Sequence, residues 1–134
     1  MDNIREMLGR SEYIRSLSIE ILELSDEYAR GRMPFDEKYC NPFKTMHGGC
    51  LYSLADTVAG TLAYHAGKNV VTVEGTLHFL EAVKNTEYVY CEARIRKCGK
   101  TLIVADVEIK DDDGRLLDSG CYSFFRTDQR GCDI

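Results

Sequence analysis

"NPFKTMHGGCLYSLAD", Asn41 to Asp56, decides how this chain is read. It carries a side-chain amide, a His-Gly-Gly turn and one carboxylate set among apolar or small residues. From His47 to Ala66 the apolar positions Leu51, Leu54, Ala55, Val58 and Leu62 fall at i, i+3, i+4, i+7 and i+11, the spacing of a helix face. Ala55, Ala59, Gly60 and Ala63 keep the remaining sides small, so the helix is expected to be wrapped by other elements, with Gly67 as its stop. Asp56 is the anomaly. A buried carboxylate without a partner is costly, so it either bonds a neighbouring strand or acts on a ligand.

Outward from this helix the periodicity changes. Downstream, 70–80, 87–97, 101–110 and 116–126 are rich in Val, Ile, Tyr, Phe and Thr and read as strands. In the second of them Val89, Cys91, Ala93 and Ile95 alternate with Tyr88, Tyr90, Glu92, Arg94 and Arg96, a half-buried pattern. Turns fall at Cys98-Gly99 and Asp113-Gly114. Upstream, 18–25 and 27–33 read as two strands about a Ser-Asp turn, closed by Pro34. Two short helical pieces, Asn3 to Gly9 and Ser11 to Leu17, open the chain, the second from a Ser N-cap. Two strands, one long helix and four antiparallel strands make an α+β chain. A curved antiparallel sheet wrapped around one central helix satisfies that order with short loops, as one domain over 1–134.

Charge and composition exclude several functions. A formal charge of -5 over 134 residues argues against a nucleic-acid partner. No apolar run approaches a membrane span, and MDNIREMLGR has no signal-peptide core. Cys40, Cys50, Cys91, Cys98, Cys121 and Cys132 are scattered without a CxxC pair, so they read as reduced thiols of a cytoplasmic protein. His47, His65 and His78 lack ligand spacing, and Asp111, Asp112 and Asp113 lack the positions of a calcium loop, so no metal is expected.

The start of the central helix offers chemistry. Gly48 and Gly49 present backbone N–H groups at the positive end of the helix dipole, and the missing side chains let a carbonyl come close. Asn41 lies in the same loop and adds an amide, and His47 flanks the glycines. Asp56 is eight residues beyond Gly48, roughly 12 Å along the axis at about 1.5 Å per residue. It cannot reach a carbonyl held at the start of its own helix. An acid acting there has to come from a second copy whose helix runs antiparallel, which calls for a two-fold dimer. Two other enzyme readings stand beside this one. Cys50, one turn from His47, is a candidate nucleophile, and His47 with Asp56 is a candidate dehydratase pair.

At these residues the sequence resembles the hot-dog-fold acyl-CoA thioesterases, specifically the PaaI-like, phenylacetic-acid-degradation branch. Asn41, His47-Gly48-Gly49 and Asp56 keep that family's spacings, and "VVTVEGTLHFLEAV" and "RKCGKTLIVADVEIKDDDGRLL" extend the likeness over nearly the whole chain. The resemblance implies a hot-dog fold and hydrolysis of an acyl- or aryl-CoA. Asp56 would be nucleophile or general base, Gly48 the oxyanion donor, and Asn41 and Thr72 would orient substrate or water. His47 and Gly49 would be substrate contacts. Coenzyme A enters as part of the substrate and no cofactor is implied. A homodimer and a dimer of dimers are expected. Arg94, Arg96, Lys97, Lys100 and Arg126 are candidates for the coenzyme phosphates. Two positions depart from the pattern: Lys44 stands where a Gly is common and Ala82 where a Pro is common. A non-catalytic acyl-CoA-binding protein and an enoyl-CoA hydratase or dehydratase are the alternatives on the same fold.

Overall fold

The computed structural model describes residues 1–127. Two short helices, α1 (Asp2–Gly9) and α2 (Glu12–Ser16), precede strands β1 (Glu20–Leu24) and β2 (Tyr28–Pro34). A 3-10 turn (Glu37–Tyr39) and a loop lead into α3 (Gly48–Gly67), followed by β3 (Val70–Phe79), β4 (Tyr88–Cys98), β5 (Leu102–Lys110) and β6 (Leu116–Arg126). Ser11 caps α2 as expected, its hydroxyl accepting the Ile14 N–H at 3.2 Å. The strands form one antiparallel sheet in the order β1-β2-β4-β5-β6-β3. β3, directly after the helix, therefore pairs with β6 at one edge.

The inner face of the sheet holds α3. Ala29 and Met33 on β2, Val89, Cys91 and Ala93 on β4, Ile103, Ala105, Val107 and Ile109 on β5, and Tyr122 and Phe124 on β6 are fully buried. They close over Leu51, Leu54, Ala55, Val58 and Leu62. The small residues read from the sequence allow this wrapping, since a helix packed on several sides has no room for large side chains on each.

Gly67 ends the helix for a different reason from the one its identity suggests. It is the last helical residue, and Lys68 takes the positive φ of 65° while its N–H donates to the Tyr64 carbonyl. A Cβ on Gly67 would lie 2.5 Å from Ile103 Cδ1, so a side chain there would require the Ile103 tip on β5 to move. The acidic run is structural too. The Asp111 carboxylate accepts the Asp113 and Arg115 N–H groups, and Asp112 accepts those of Glu87 and Tyr88, pinning the β5–β6 turn to the start of β4. Cys132 lies outside the described residues.

Asp118 on β6 breaks the rule that buried polar groups are paired. It is fully buried, and neither carboxylate oxygen has a hydrogen-bond partner, the only such side chain among the described residues. Its strand neighbours are Ile109 and Phe79. Burial pushes its carboxyl up to about 7. The folded state then holds this proton more tightly than the unfolded chain, so Asp118 contributes most at acid pH and that contribution is lost as pH rises to about 7. Melts of wild type and Asp118→Asn should coincide near pH 4 and diverge toward pH 7, the variant becoming more stable by on the order of 4 kcal/mol. Parallel melting profiles across that range would show the acid to be paired after all.

Candidate active site

Gly48, Tyr52 and Asp56 recur every four residues and stack along one face of α3, the face turned to β3. Gly48 lies under the Phe79 ring, where an added Cβ would be 3.0 Å from Phe79 Cζ. The Tyr52 hydroxyl donates to the Gly75 carbonyl at 3.2 Å. Thr72 donates its hydroxyl to Asp56 Oδ1 at 2.9 Å. Thr72, which entered only through the family resemblance, is thus brought onto the acid. Asp56 is half-buried, and burial raises its carboxyl above the usual range, partly offset by the Thr72 hydrogen bond.

The helix start is more selective than the sequence suggests. His47 is the N-cap, and its Nδ1 accepts the Gly49 N–H at 2.9 Å. A backbone N–H can only donate, so Nδ1 carries the lone pair, and a neutral ring has its proton on Nε2. Gly49 is accordingly no free donor. The Cys50 and Leu51 N–H groups turn back to the His47 carbonyl, which leaves Gly48 with the N–H of this turn that has no acceptor among the described residues. Asn41 is partly engaged as well, with one of its two amide N–H bonds used among the described residues. Its Oδ1 accepts from Phe43 and Thr45 N–H at 2.9 and 3.2 Å, and its Nδ2 donates to Thr45 Oγ1 at 2.9 Å. Asn41 and His47 therefore build the loop and the cap that aim Gly48.

A groove of about 320 Å³ runs beside Gly48, between the loop and the end of β3, with Thr45, Met46, Leu51, Phe79 and Val83 in its walls. A wider groove of about 400 Å³ lies on the outer face of the sheet between Arg94, Asp106 and Cys121, away from the helix start. Within one protomer, Gly48 and Asp56 sit at separate ends of the α3–β3 seam.

The other candidates separate cleanly. Cys50 is buried, its thiol donates to the His47 carbonyl at 3.0 Å, and burial pushes it up to about 11, which leaves little thiolate at neutral pH. Among the described residues no group of His, Cys, Asp or Glu could hold a metal ion. Nor, among the described residues, is any helix long and apolar enough to cross a membrane. Of the phosphate candidates, Arg96 is engaged by Asp106, Arg94 stacks 4.5 Å over the Tyr28 ring, and Arg126 donates to the Gly99 carbonyl.

Residues 43–117 match the thioesterase superfamily model. The chain belongs to the thioesterase superfamily. Thioester hydrolysis is the activity that membership assigns. The chain is 28% identical over 107 residues to the acyl-coenzyme A thioesterase PaaI of Escherichia coli, covering 80% of this chain and 76% of that protein. The solved structure of Escherichia coli PaaI superposes with a TM-score of 0.88 at 24% identity, covering 95% of this chain and 92% of that one, which makes the fold a hot-dog. A hypothetical thioesterase protein from Streptococcus pneumoniae solved with coenzyme A superposes with a TM-score of 0.78 at 26% identity, covering 84% of this chain and 88% of that one.

Two outcomes check the local chemistry. Iodoacetamide at neutral pH should label the exposed Cys98 and leave Cys50 unmodified, as read by mass spectrometry of the peptides. Asp56→Asn keeps an acceptor for Thr72 and removes a charge that burial disfavours, so it should melt at or above wild type at neutral pH. That advantage should shrink as acid protonates the native carboxyl. A variant melting below wild type at neutral pH would contradict the raised pKa.

Proposed function

We propose that this chain hydrolyses an acyl- or aryl-CoA thioester at a site completed by two copies, with Gly48 from one protomer and Asp56 from the other. The Gly48 N–H, at the positive end of α3, meets the carbonyl oxygen as negative charge develops on it. Asp56 of the other copy, oriented by Thr72 through Oδ1, uses its second oxygen on the carbonyl carbon or on a water. In the first case the thiolate of coenzyme A leaves and water opens the resulting anhydride. In the second, hydroxide adds directly and the thiolate leaves with the proton returned. Either way, thioester and water become free acid and thiol. The neighbour bound to coenzyme A supports the thiol half of the substrate.

One geometric coincidence carries the composite reading. Tyr52 is equidistant in sequence from Gly48 and Asp56, so it marks the helix midpoint between donor and acid. On β3, Phe79 lies over Gly48 and Thr72 bonds Asp56, and the midpoint of that pair is the Gly75–Thr76 bond. A two-fold axis that brings one copy's acid to the other's donor passes beside both midpoints. In each protomer these midpoints already touch, through the Tyr52 hydroxyl and the Gly75 carbonyl. The proposed axis would pass beside this contact.

The edges of the sheet are consistent with it. At β1 the backbone is partly covered, Arg5 reaching the Ile21 carbonyl at 3.4 Å. Among the described residues no strand pairs with the outer edge of β3, Val71 and Val73 are exposed beside it, and an unpaired strand edge invites a second strand.

Asp56→Ala should abolish thiol release from a panel of acyl- and aryl-CoA esters while the dimer persists in solution. Gly48→Val, which drives a side chain into Phe79, should do the same. Mixed and re-equilibrated, the two dead variants should recover about a quarter of wild-type activity, because half the dimers would carry one intact site of two. No recovery in verified mixed dimers would place donor and acid in the same protomer. Tight binding without thiol release would identify a binding protein, and water addition to an enoyl-CoA a hydratase.

A further inference from the structure

The loop in front of α3 puts a lysine where its backbone favours glycine. Asn41 to Lys44 form a turn closed by the Lys44 N–H on the Asn41 carbonyl at 3.0 Å. The Asn41 N–H then donates to the Thr45 carbonyl at 2.8 Å, inside the antiparallel bridge of Cys40 with Met46. A residue leaving such a turn enters the left-handed region, and Lys44 does so with φ of 65°. Glycine takes that conformation without a steric penalty, whereas lysine does not.

The other non-glycine residues with positive φ differ in setting. Asn85 is of a type that tolerates it, Lys68 closes α3 at the carbonyl end where a cation is favoured, and Ser18 follows α2. Lys44 has no such role. It is exposed and takes part in no ion pair among the described residues.

Lys44 belongs to the loop that borders the proposed site. Asn41 and Thr45, to either side of Lys44 in the loop, line the groove beside Gly48. The one charged residue in the groove wall, Glu81, is engaged by Arg115 at 2.9 Å. Lys44 is thus an uncompensated cation next to the positive end of α3, on a long stem free to reach a ligand.

We infer that Lys44 binds an anionic group of the substrate, a carboxylate on the acyl chain or a phosphate of coenzyme A, and so sets substrate preference at the site proposed above, on which this inference rests.

The test is Lys44→Gly with four thioesters, crossing an apolar acyl group or one ending in a carboxylate with coenzyme A or bare pantetheine as the thiol. Relief of the backbone should raise the melting temperature by roughly 2 to 4 °C. Loss of the cation should raise KM about three- to fivefold for thioesters that carry the recognised anion, with kcat little changed. Lys44→Arg should restore KM without the gain in stability. If the acyl carboxylate is the ligand, preference for the carboxylated chain collapses with both thiols. If a phosphate is the ligand, preference for coenzyme A over pantetheine collapses with both chains. Unchanged KM ratios across all four, in a variant that melts higher, would overturn the inference. Calorimetric binding of the same four to Asp56→Asn reads these ratios without turnover. Failure of hydrolysis and failure of anion recognition are therefore separate results.

Discussion

The contact between one face of α3 and the edge strand β3 organises everything else in this molecule. Three side chains or gaps on the helix, at Gly48, Tyr52 and Asp56, meet Phe79, Gly75 and Thr72. The contact is close because Gly75 has no side chain: a Cβ there would lie 2.4 Å from both the Tyr52 hydroxyl and the Tyr122 ring. Tyr122 in turn donates its hydroxyl to the Tyr52 carbonyl at 3.1 Å, so β6 clamps the same helix turn from below. With the helix held this way, a peptide N–H and a carboxylate are presented along the edge strand, and the proposed dimer would form there.

The two buried acids illustrate how environment separates roles. Burial raises both Asp56 and Asp118. Asp56 keeps one hydroxyl donor and partial access to the surface, which leaves an oxygen available for chemistry. Asp118 has neither, and it is the least favourable charge in the fold. The loop before α3 shows a similar division. Asn41 Oδ1 and His47 Nδ1 shape the turn and cap the helix, while one Asn41 N–H and His47 Nε2 take part in none of these bonds. The effect is to single out Gly48, with Lys44 in the loop that borders the site.

Much of this was legible in the chain. The periodicity from Leu51 to Leu62 identified the central helix, and the alternation in β4 identified a half-buried strand, because both signals follow from which faces must leave water. The strand ends moved by one or two residues, as terminal hydrogen bonds decide them. The engagement of the Gly49 N–H and of the Asn41 carbonyl oxygen has a common origin. Hydrogen-bond capacity is a property of residue type, but its use depends on which neighbour arrives first, and here the local turn did. Asp118 gave no signal, since a lone acid in a strand has the same spelling whether it faces water or the core.

What the sequence by itself determined was the class of fold and the residue types that chemistry would need: a small-sided helix, strands of alternating burial, glycines at a helix start and an acid two turns beyond. Local spacing is enough for these because they depend on backbone geometry and solvent. Only the tertiary structure decided which N–H was engaged, that Thr72 lay on Asp56, that Gly75 was a glycine for reasons of packing, and that Tyr52 meets Gly75. Those facts depend on contacts between residues far apart in the chain, and side-chain reach across such contacts is set by the packing of the whole sheet on the helix.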